Sequence, residues 1–306
     1  MQRLRVRYAK RGPLRFSSHR DFQRAFERAL RRSGVPMAYS AGFSPHPKIS
    51  YSGASPTGVA SEAEYLEIAV TERVDPAALR DALDASLPHG LDILEVVEAA
   101  GGSLPDRLTA SRWRIVLPGV SGDAAAAAVR TFLAADEVLV VRRLKDGQRT
   151  LNARAPVVRA EVEDDRAGRR SESSADSSGV EAAGQRRGDP AVEADCAILG
   201  LVVRHVTPAV RPDDVLAGLR AVADLSTPAP AAATRLAQGP LDETEPSAGR
   251  IADPLAPDRS ASAAEEEPVP ATGTAIAGVA VSQRTPPTSS GTAVAEPETT
   301  EALARP

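Results

Sequence analysis

The chain has 306 residues, of which 42% are hydrophobic and only 3% aromatic, and a formal net charge of -4. This length suits two domains of ordinary size, or one domain with tails. The single cysteine, Cys196, excludes an intramolecular disulfide framework and an all-cysteine zinc or iron–sulfur site. No apolar run approaches the roughly 18 residues of a membrane span. The sequence therefore predicts a cytoplasmic protein without membrane association.

Charge is distributed unevenly along the chain. Residues 1–52 contain ten arginines and two lysines, but only Asp21 and Glu27 as acids. The rest of the chain is correspondingly acidic. This asymmetry predicts that the N-terminal region faces a polyanion.

The first part of the chain predicts the element order β-α-β-β-α-β. Strands are predicted near 3–9, 48–53, 64–71 and 91–98 from their alternating or continuous apolar residues. A helix is predicted to follow Ser18, because Phe22, Phe26 and Leu30 recur on one face. A second helix is predicted from Asp75 to about residue 87. We expect 48–53 to pair with 64–71 in one antiparallel sheet.

The pattern then begins again with less regularity. A strand is predicted at 112–117, a helix at 122–135, a hairpin of 137–144 with 151–162, a strand at 197–205 and a helix at 212–225. The last strand of this second unit is missing or irregular. We therefore predict an α+β fold of two tandem ferredoxin-like (βαββαβ) units with antiparallel sheets, covering 1–105 and 106–225.

Two long segments lack apolar periodicity, namely 164–194 and 226–306. They are rich in small, polar and charged residues, and such a composition cannot bury enough apolar surface to fold. We predict a disordered insertion at 164–194 and a long, disordered, acidic C-terminal tail at 226–306, in which 234–241 could dock as a short segment.

The exposed face of the first helix is the first candidate site. Arg20, Arg24 and Arg28 form an i, i+4, i+8 row opposite the apolar stripe, and Arg31 lies near them. A plain solvated face is the alternative, but few acids are available to pair with these cations. The surplus favours binding of RNA phosphates, which arginine contacts in a bidentate manner.

The chain that leads into this helix is the second candidate. Ser17, Ser18 and His19 lie at the predicted helix N-terminus, and Arg15 precedes them. Free backbone N–H groups and the positive end of the helix dipole attract anions at such a place. A simple helix cap at Ser18 is the alternative.

The third candidate is the polar segment 38–58, which contains Ser44, His46 and Lys48 beside two prolines. We expect this segment to form the rim of an anion site whose other wall is the N-terminus of the first helix. His46 or His19 could act as a general base, with Lys48 stabilising an oxyanion; a surface histidine is the alternative. Because no carboxylates or cysteines stand at ligand spacing from these histidines, we expect no metal and no cofactor.

Residues 12–68 resemble the radical-SAM-associated domain of unknown function, above all in the segments FSSHRD and GFSPHPKIS. The likeness extends over about 2–225. That domain occurs in bacteria alone or fused to the C-terminus of B12-binding-type radical SAM proteins. The resemblance implies a radical SAM protein as partner, and RNA as the shared substrate. Because the chain has no CxxxCxxC motif, it is not itself the radical SAM catalyst.

These observations lead to one principal hypothesis and two alternatives. The first is a non-catalytic RNA-binding partner (for tRNA or rRNA), or substrate-presenting subunit, of a radical SAM modification enzyme. An RNA-processing or RNA-modifying enzyme, similar in architecture to RAMP-type endoribonucleases and with a loop histidine as general base, is the second. A phosphorylated-metabolite-binding adaptor is the third. Binding is favoured over catalysis because no complete acid–base set is visible.

Overall fold

The computed structural model describes residues 1–144, 147–163, 195–244 and 249–266. The predicted insertion at 164–194 and the tail from 267 onward lie outside these described residues. The first half of the fold consists of β1 (Gln2–Lys10), α1 (His19–Arg32), β2 (Ile49–Ser52), β3 (Ala60–Val70), α2 (Pro76–Asp84) and β4 (Leu91–Glu98).

The strands of this half lie in the order β4-β1-β3-β2, and all neighbours are antiparallel. The predicted pairing of 48–53 with 64–71 is confirmed, since Ile49 lies opposite Ile68 and Ser52 opposite Tyr65. The mixed α+β character and the antiparallel sheet are therefore confirmed.

Helix α1 forms as its sequence predicts. The Ser18 hydroxyl accepts the N–H of Asp21 and so satisfies one free donor of the first turn. Phe22 and Phe26 are buried, and the Phe22 ring stacks on Tyr8 of β1 with 4.3 Å between ring centroids. Burial of such a side chain contributes about 1.5–3 kcal/mol, so this stripe fixes which face of α1 meets the sheet.

The second half contains α3 (Leu104–Arg107), β5 (Ala110–Pro118), α4 (Gly122–Ala134), β6 (Leu139–Leu144), β7 (Gly147–Asn152), β8 (Val157–Glu163), β9 (Cys196–Arg204), α5 (Pro212–Ala223) and β10 (Ala232–Gly239). Its sheet order is β10-β5-β9-β8, while β6 and β7 form a separate hairpin. The predicted second arm of that hairpin, 151–162, is in fact divided between β7 and β8.

Strand β10 corrects two predictions. The second unit was expected to end at 225 without a regular last strand, and 226–306 to form a disordered tail in which only 234–241 could dock. The docking of 234–241 is confirmed for the part that lies in β10. This strand pairs antiparallel with β5, and it pairs parallel with β3 through Thr234–Ala60 and Arg235–Ser61. The prediction failed because β10 buries polar residues, Arg235 and Gln238, rather than an alternating apolar set. Through β10 the two halves share one sheet.

The C-terminal segment is a further correction. After β10 the chain forms β11 (Leu241–Asp242), β12 (Arg250–Ile251) and α6 (Ala256–Glu266). This segment returns to the first half, where Leu255 packs into a small cluster with Tyr65 and Val97. Residues 249–266 are thus folded, although their composition predicted a tail.

Asp258 anchors this segment to the first half. Its carboxylate accepts hydrogen bonds from Arg5 at 2.7 and 2.9 Å, from Arg107 at 2.8 Å and from the N–H of Ala100 at 3.0 Å. Burial of Asp258 opposes its charge, but these donors hold its pKa below the ordinary value. The anchor joins residues 253 positions apart, a separation that no local pattern reveals.

Both helix pairs pack on the same face of the sheet. Leu4 and Val6 of β1 belong to the core beneath α1 and α2, and Ile115 and Leu117 of β5 belong to the core beneath α4 and α5. The face opposite α1 bears Arg5, which residues of the C-terminal segment cover. None of the helices in the described residues is long and apolar enough to cross a membrane.

Candidate functional site

The structure places the predicted arginine row on the exposed face of α1. Arg20, Arg24 and Arg28 are exposed and form no ion pair within 4.0 Å in the described part of the chain. Arg31 lies 4.0 Å from Glu27, a distance at the limit of an ion pair. We call Arg20, Arg24, Arg28 and Arg31 the arginine face. It is a cationic surface with little compensation of its own.

Three other basic residues of the N-terminal region, Arg3, Arg5 and Arg11, are paired with carboxylates. Arg5 is completely buried between Asp258 and Glu67. Arg11 pairs with Glu62 and also donates to Asp92 at 2.6 Å. The local charge surplus of residues 1–52 is therefore smaller in the fold than in the sequence, because later strands and the C-terminal segment bring carboxylates to it. The arginine face is the part of this remaining charge that α1 carries as a row.

The N-terminus of α1 already holds an anion of its own. The Ser18 hydroxyl donates to the Asp21 carboxylate at 2.6 Å, and this bond is the main cause that lowers the pKa of Asp21. Ser17 donates its backbone N–H to Leu14, and the Arg15 guanidinium lies 4.6 Å from the Phe16 ring centroid. The capping alternative is thus correct for Ser18, and Asp21 competes with any external anion at this place.

The segment 38–48 folds back on itself as a hairpin. Ser40 donates its N–H to the carbonyl of His46 at 2.9 Å, and its hydroxyl lies 2.9 Å from His46 Nδ1. Ser44, His46 and Lys48 are all exposed on this hairpin. Phe43, at its tip, is exposed in full. Within the described residues, the His46 ring therefore has a hydroxyl as its hydrogen-bond partner and no carboxylate to orient it.

The two candidate histidines lie at separate places. The His19 ring contacts Tyr51 of β2 edge-on, with centroids 5.0 Å apart, and its Nε2 lies 3.1 Å from the Gln23 amide. Tyr51 and His46 are five residues apart along an extended segment, which corresponds to roughly 16 Å. The expected site had the whole segment 38–58 as its rim and the N-terminus of α1 as its other wall. Tyr51 of this segment contacts His19, and Gly58 donates its N–H to the carbonyl of Arg15 at 2.8 Å, whereas His46 lies on the exposed hairpin.

A pocket that sequence reasoning missed lies where the two halves meet. We call it the seam pocket. Its volume is about 330 Å³, and its walls come from the loop after β2, from β5, from the end of β9, from the chain before α5 and from β10. Its lining includes Pro56, Ser111, Trp113, His205, Arg211 and Arg235.

Arg235 forms the floor of the seam pocket together with Gln238. Its guanidinium pairs with Glu64, donates to the Gln238 side chain at 2.9 Å and donates to Ser61 at 3.3 Å. Burial alone would raise the pKa of Glu64, but the Arg235 charge and hydrogen bonds from Ser61 and from the N–H of Ser55 keep it lowered. Glu64 is therefore a structural anion that holds Arg235 in place.

Lys10 adds a second buried cation behind this floor. Its Nζ donates to the carbonyl of Pro56 at 3.3 Å, and the residue is only 6% exposed. Burial lowers the pKa of Lys10, and the Glu64 charge opposes that effect while Arg235 adds to it. Two buried cations thus share one buried carboxylate.

Ser111 and His205 form an oriented pair on the wall of the pocket. His205 Nδ1 lies 2.7 Å from the carbonyl of Leu108, which can only accept, so Nδ1 carries the proton. Nε2 must then accept the hydrogen bond from the Ser111 hydroxyl, 2.7 Å away. Partial burial of the ring, on a residue that is otherwise exposed, lowers the pKa of His205 despite its bond to Leu108, which favours this neutral form. A hydroxyl held against an imidazole acceptor is an arrangement used both for recognition and for nucleophile activation.

No motif in the sequence joins these residues. Ser111 and His205 are 94 positions apart, and Glu64 and Arg235 are 171 apart. The scarcity of histidine, four in the chain, was the one available signal for His205. The strand pairing of β10 is what brings the rest together.

A family model described as "Uncharacterized protein conserved in bacteria (DUF2344)" matches residues 3–212. The match covers well over half of the chain, which therefore belongs to this family. It includes the arginine face, Ser111 and His205, and ends before Arg235. No curated protein matches the sequence.

Proposed function

We propose that this protein is a non-catalytic RNA-binding partner, for tRNA or rRNA, of a radical SAM modification enzyme. The RNA-binding part of this proposal rests on the arginine face. Its Arg20, Arg24 and Arg28 are exposed and lack ion pairs in the described residues. Cations whose charge is not already neutralised release counterions when they contact phosphates, and this release drives binding.

The geometry of α1 suits a phosphate backbone. Residues four apart on a helix are about 6 Å apart along its axis, so the row presents three guanidinium groups over about 12 Å. Exposed aromatic rings accompany it, since Phe16 is 59% exposed and both Tyr39 and Phe43 are exposed on the hairpin. Aromatic side chains of this kind stack on unpaired bases. An exposed basic row and exposed aromatic rings on the same chain therefore favour RNA over a purely ionic partner.

The radical SAM partner rests on the resemblance of residues 12–68 to the radical-SAM-associated domain. We also propose that each half of the fold is a ferredoxin-like unit. The strand orders β4-β1-β3-β2 and β10-β5-β9-β8 support this assignment. Such units are shared with RAMP-type endoribonucleases, a likeness of architecture alone.

Catalysis by the loop histidines receives no support from their surroundings. Removal of a proton by His46 or His19 with stabilisation by Lys48 would need these groups to converge on one substrate. His46 contacts Ser40, whereas His19 contacts Gln23 and Tyr51. The binding role is therefore the better proposal.

The test is the affinity of the full chain for bulk bacterial tRNA, measured by fluorescence anisotropy over a series of salt concentrations. Arg24→Glu/Arg28→Glu should weaken binding strongly and reduce the slope of log K against log salt by about one unit per lost phosphate contact. Arg130→Glu, an exposed arginine on α4, is the matched control and should keep most of the affinity. Absence of tRNA binding at low salt, or an equal loss in the control, would refute the proposal.

A further inference from the structure

The seam pocket lies on the helix-bearing face of the sheet, between the two helix pairs. Paired residues of neighbouring strands share one face, and the pairs Lys10–Ser61, Ser61–Arg235 and Arg235–Trp113 run across the seam. Trp113 belongs to the core beneath α4 and α5. The loop after β2 and the chain before α5 form the upper walls. The pocket is thus built from both halves of the fold.

The pocket is suited to an anion. Its lining contains Arg211, Arg235 and His205 but no aspartate or glutamate. Glu64, behind the floor, balances only one of the two buried cations Arg235 and Lys10. Arg211 is exposed and forms no ion pair within 4.0 Å in the described residues. A ligand with a negatively charged group would therefore meet a favourable field at the rim and at the floor.

The hydrogen-bonding capacity of the floor and wall is also specific. A guanidinium has five N–H groups, and Arg235 uses three of them on Ser61, Glu64 and Gln238. The Gln238 amide nitrogen donates one N–H to Ala63 and has a second. Donors therefore remain at the floor, for acceptors of a ligand.

The wall of the pocket supplies a hydrogen-bond acceptor and apolar surface, in addition to the donors of the floor. Because the Ser111 hydrogen is directed to His205, the Ser111 oxygen presents acceptor lone pairs. The indole of Trp113 and the ring of Pro56 provide flat apolar surface beside it. A volume of about 330 Å³ lies at the lower end of the range for small-molecule sites.

We propose that the seam pocket binds one nucleotide unit, with the base inside and the phosphate at Arg211. A nucleobase edge carries acceptors and donors side by side, which match the floor donors and the Ser111 oxygen. Its flat ring matches the Trp113 and Pro56 surfaces. The unit comes either as a free mononucleotide or as one residue of an RNA. Only the second source rests on the RNA-binding function proposed above.

Trp113 makes the binding measurable, because it is the only tryptophan of the chain and it lines the pocket. The experiment titrates the full chain with AMP, GMP, CMP and UMP, with inorganic phosphate, and with a short single-stranded RNA, and follows tryptophan fluorescence. Arg211→Gln is the test variant, since its side chain is exposed and the fold should survive. Arg220→Gln, exposed near the other end of α5, is the matched control.

We expect at least one mononucleotide or the RNA to change the Trp113 signal saturably. Arg211→Gln should weaken this binding roughly tenfold or more, as loss of a charge-assisted hydrogen bond does, and Arg220→Gln should not. A response to RNA alone assigns the ligand to an RNA residue, and a response to a mononucleotide assigns it to the free ligand.

Three results would overturn the proposal. The first is that neither a mononucleotide nor RNA changes the Trp113 fluorescence. The second is that inorganic phosphate binds as tightly as the nucleotides. The third is that Arg211→Gln and Arg220→Gln weaken binding equally. Failure of the arginine-face variants to alter tRNA affinity would refute the RNA-binding function without affecting a mononucleotide signal, so the two failures are distinguishable.

Discussion

Replacement of Asp258 by alanine tests how the C-terminal segment stabilises the fold. Asp258 is fully buried and accepts hydrogen bonds from Arg5, Arg107 and the N–H of Ala100. Arg5 is completely buried as well. The substitution therefore leaves a guanidinium inside the protein with Glu67 as its remaining carboxylate partner, 3.1 Å from Nε.

The size of the stability loss depends on the hydrogen-bond partners that Arg5 retains after the substitution. Loss of one partner of a buried ion pair costs about 3–5 kcal/mol. Since Glu67 and the carbonyls of Gly101 and Gly102 still accept from Arg5, we expect the lower end, about 3 kcal/mol of unfolding free energy. The described residues up to 266 belong to one compact unit, and for a unit of this size the melting temperature should fall by roughly 6–12 °C.

The assay is calorimetric or circular-dichroism melting of the full chain beside a matched control. In the wild type, Glu95 of β4 forms a partly exposed ion pair with Arg259 of the C-terminal segment, with 2.5 Å between Oε1 and Nη1. Glu95→Gln removes the charge of this partner. That control should lose less than about 1 kcal/mol. A melting temperature of Asp258→Ala within about 2 °C of the wild type would refute the reasoning.

Two truncations separate this anchor from the rest of the tail. A chain that ends at residue 248 lacks Asp258 and should lose at least as much stability as the point variant. A chain that ends at residue 266 keeps it and should melt like the full chain, because the composition of 267–306 offers no apolar periodicity to bury. Equal melting of both truncated chains would show that the anchor does not stabilise the fold.

Two further predictions concern the seam. Because the folded-state pKa of His205 lies below its ordinary value of 6.5, the unfolded chain takes up the proton more readily, so stability should fall as pH drops from about 7 to 5. His205→Gln should show a smaller fall in melting temperature over this range than wild type, with His89→Gln as the control for loss of an imidazole. The second prediction compares two glycines with a positive φ, Gly53 at +59° and Gly34 at +65°. A Cβ at Gly53 would lie 2.5 Å from the Gln238 side-chain oxygen, whereas a Cβ at Gly34 would have no neighbour within 4 Å in the described residues. In urea unfolding, Gly34→Ala should cost about 1–2 kcal/mol for its backbone alone, and Gly53→Ala at least about 1 kcal/mol more; equal losses would contradict the close contact.

Local pattern determined the first half of this fold. The apolar stripe of α1 and its cap at Ser18 predicted the helix, because a helical period of 3.6 residues places Phe22 and Phe26 on one face whatever lies elsewhere in the chain. Strands β1, β3 and β4 were predictable for the same kind of reason, since apolar residues recur along each of them, and β2 half-buries Ile49 and Tyr51 in alternation. The exposed position of Arg24 and Arg28 followed directly from the stripe opposite them.

Only the tertiary structure determined which cations are paired with carboxylates and which residues line the seam pocket. Arg3 and Arg5 belonged to the predicted cationic surplus, yet Glu67 and Asp258 neutralise them across long sequence separations. Coulomb energy depends on distance in space, so a charge count along the chain cannot show which cations remain unpaired.

Strand β10 was expected at most as a short docked segment at 234–241, and its place between the two halves of the sheet was not visible in the local sequence. Its buried residues, Arg235 and Gln238, are polar, so no hydrophobic period marks it as a strand. Their burial is favourable only because Glu64, Ser61 and Ala63 of the other half supply partners. A segment whose stability depends on hydrogen bonds to distant residues has no local pattern, and for that reason the seam pocket exists only in the folded chain.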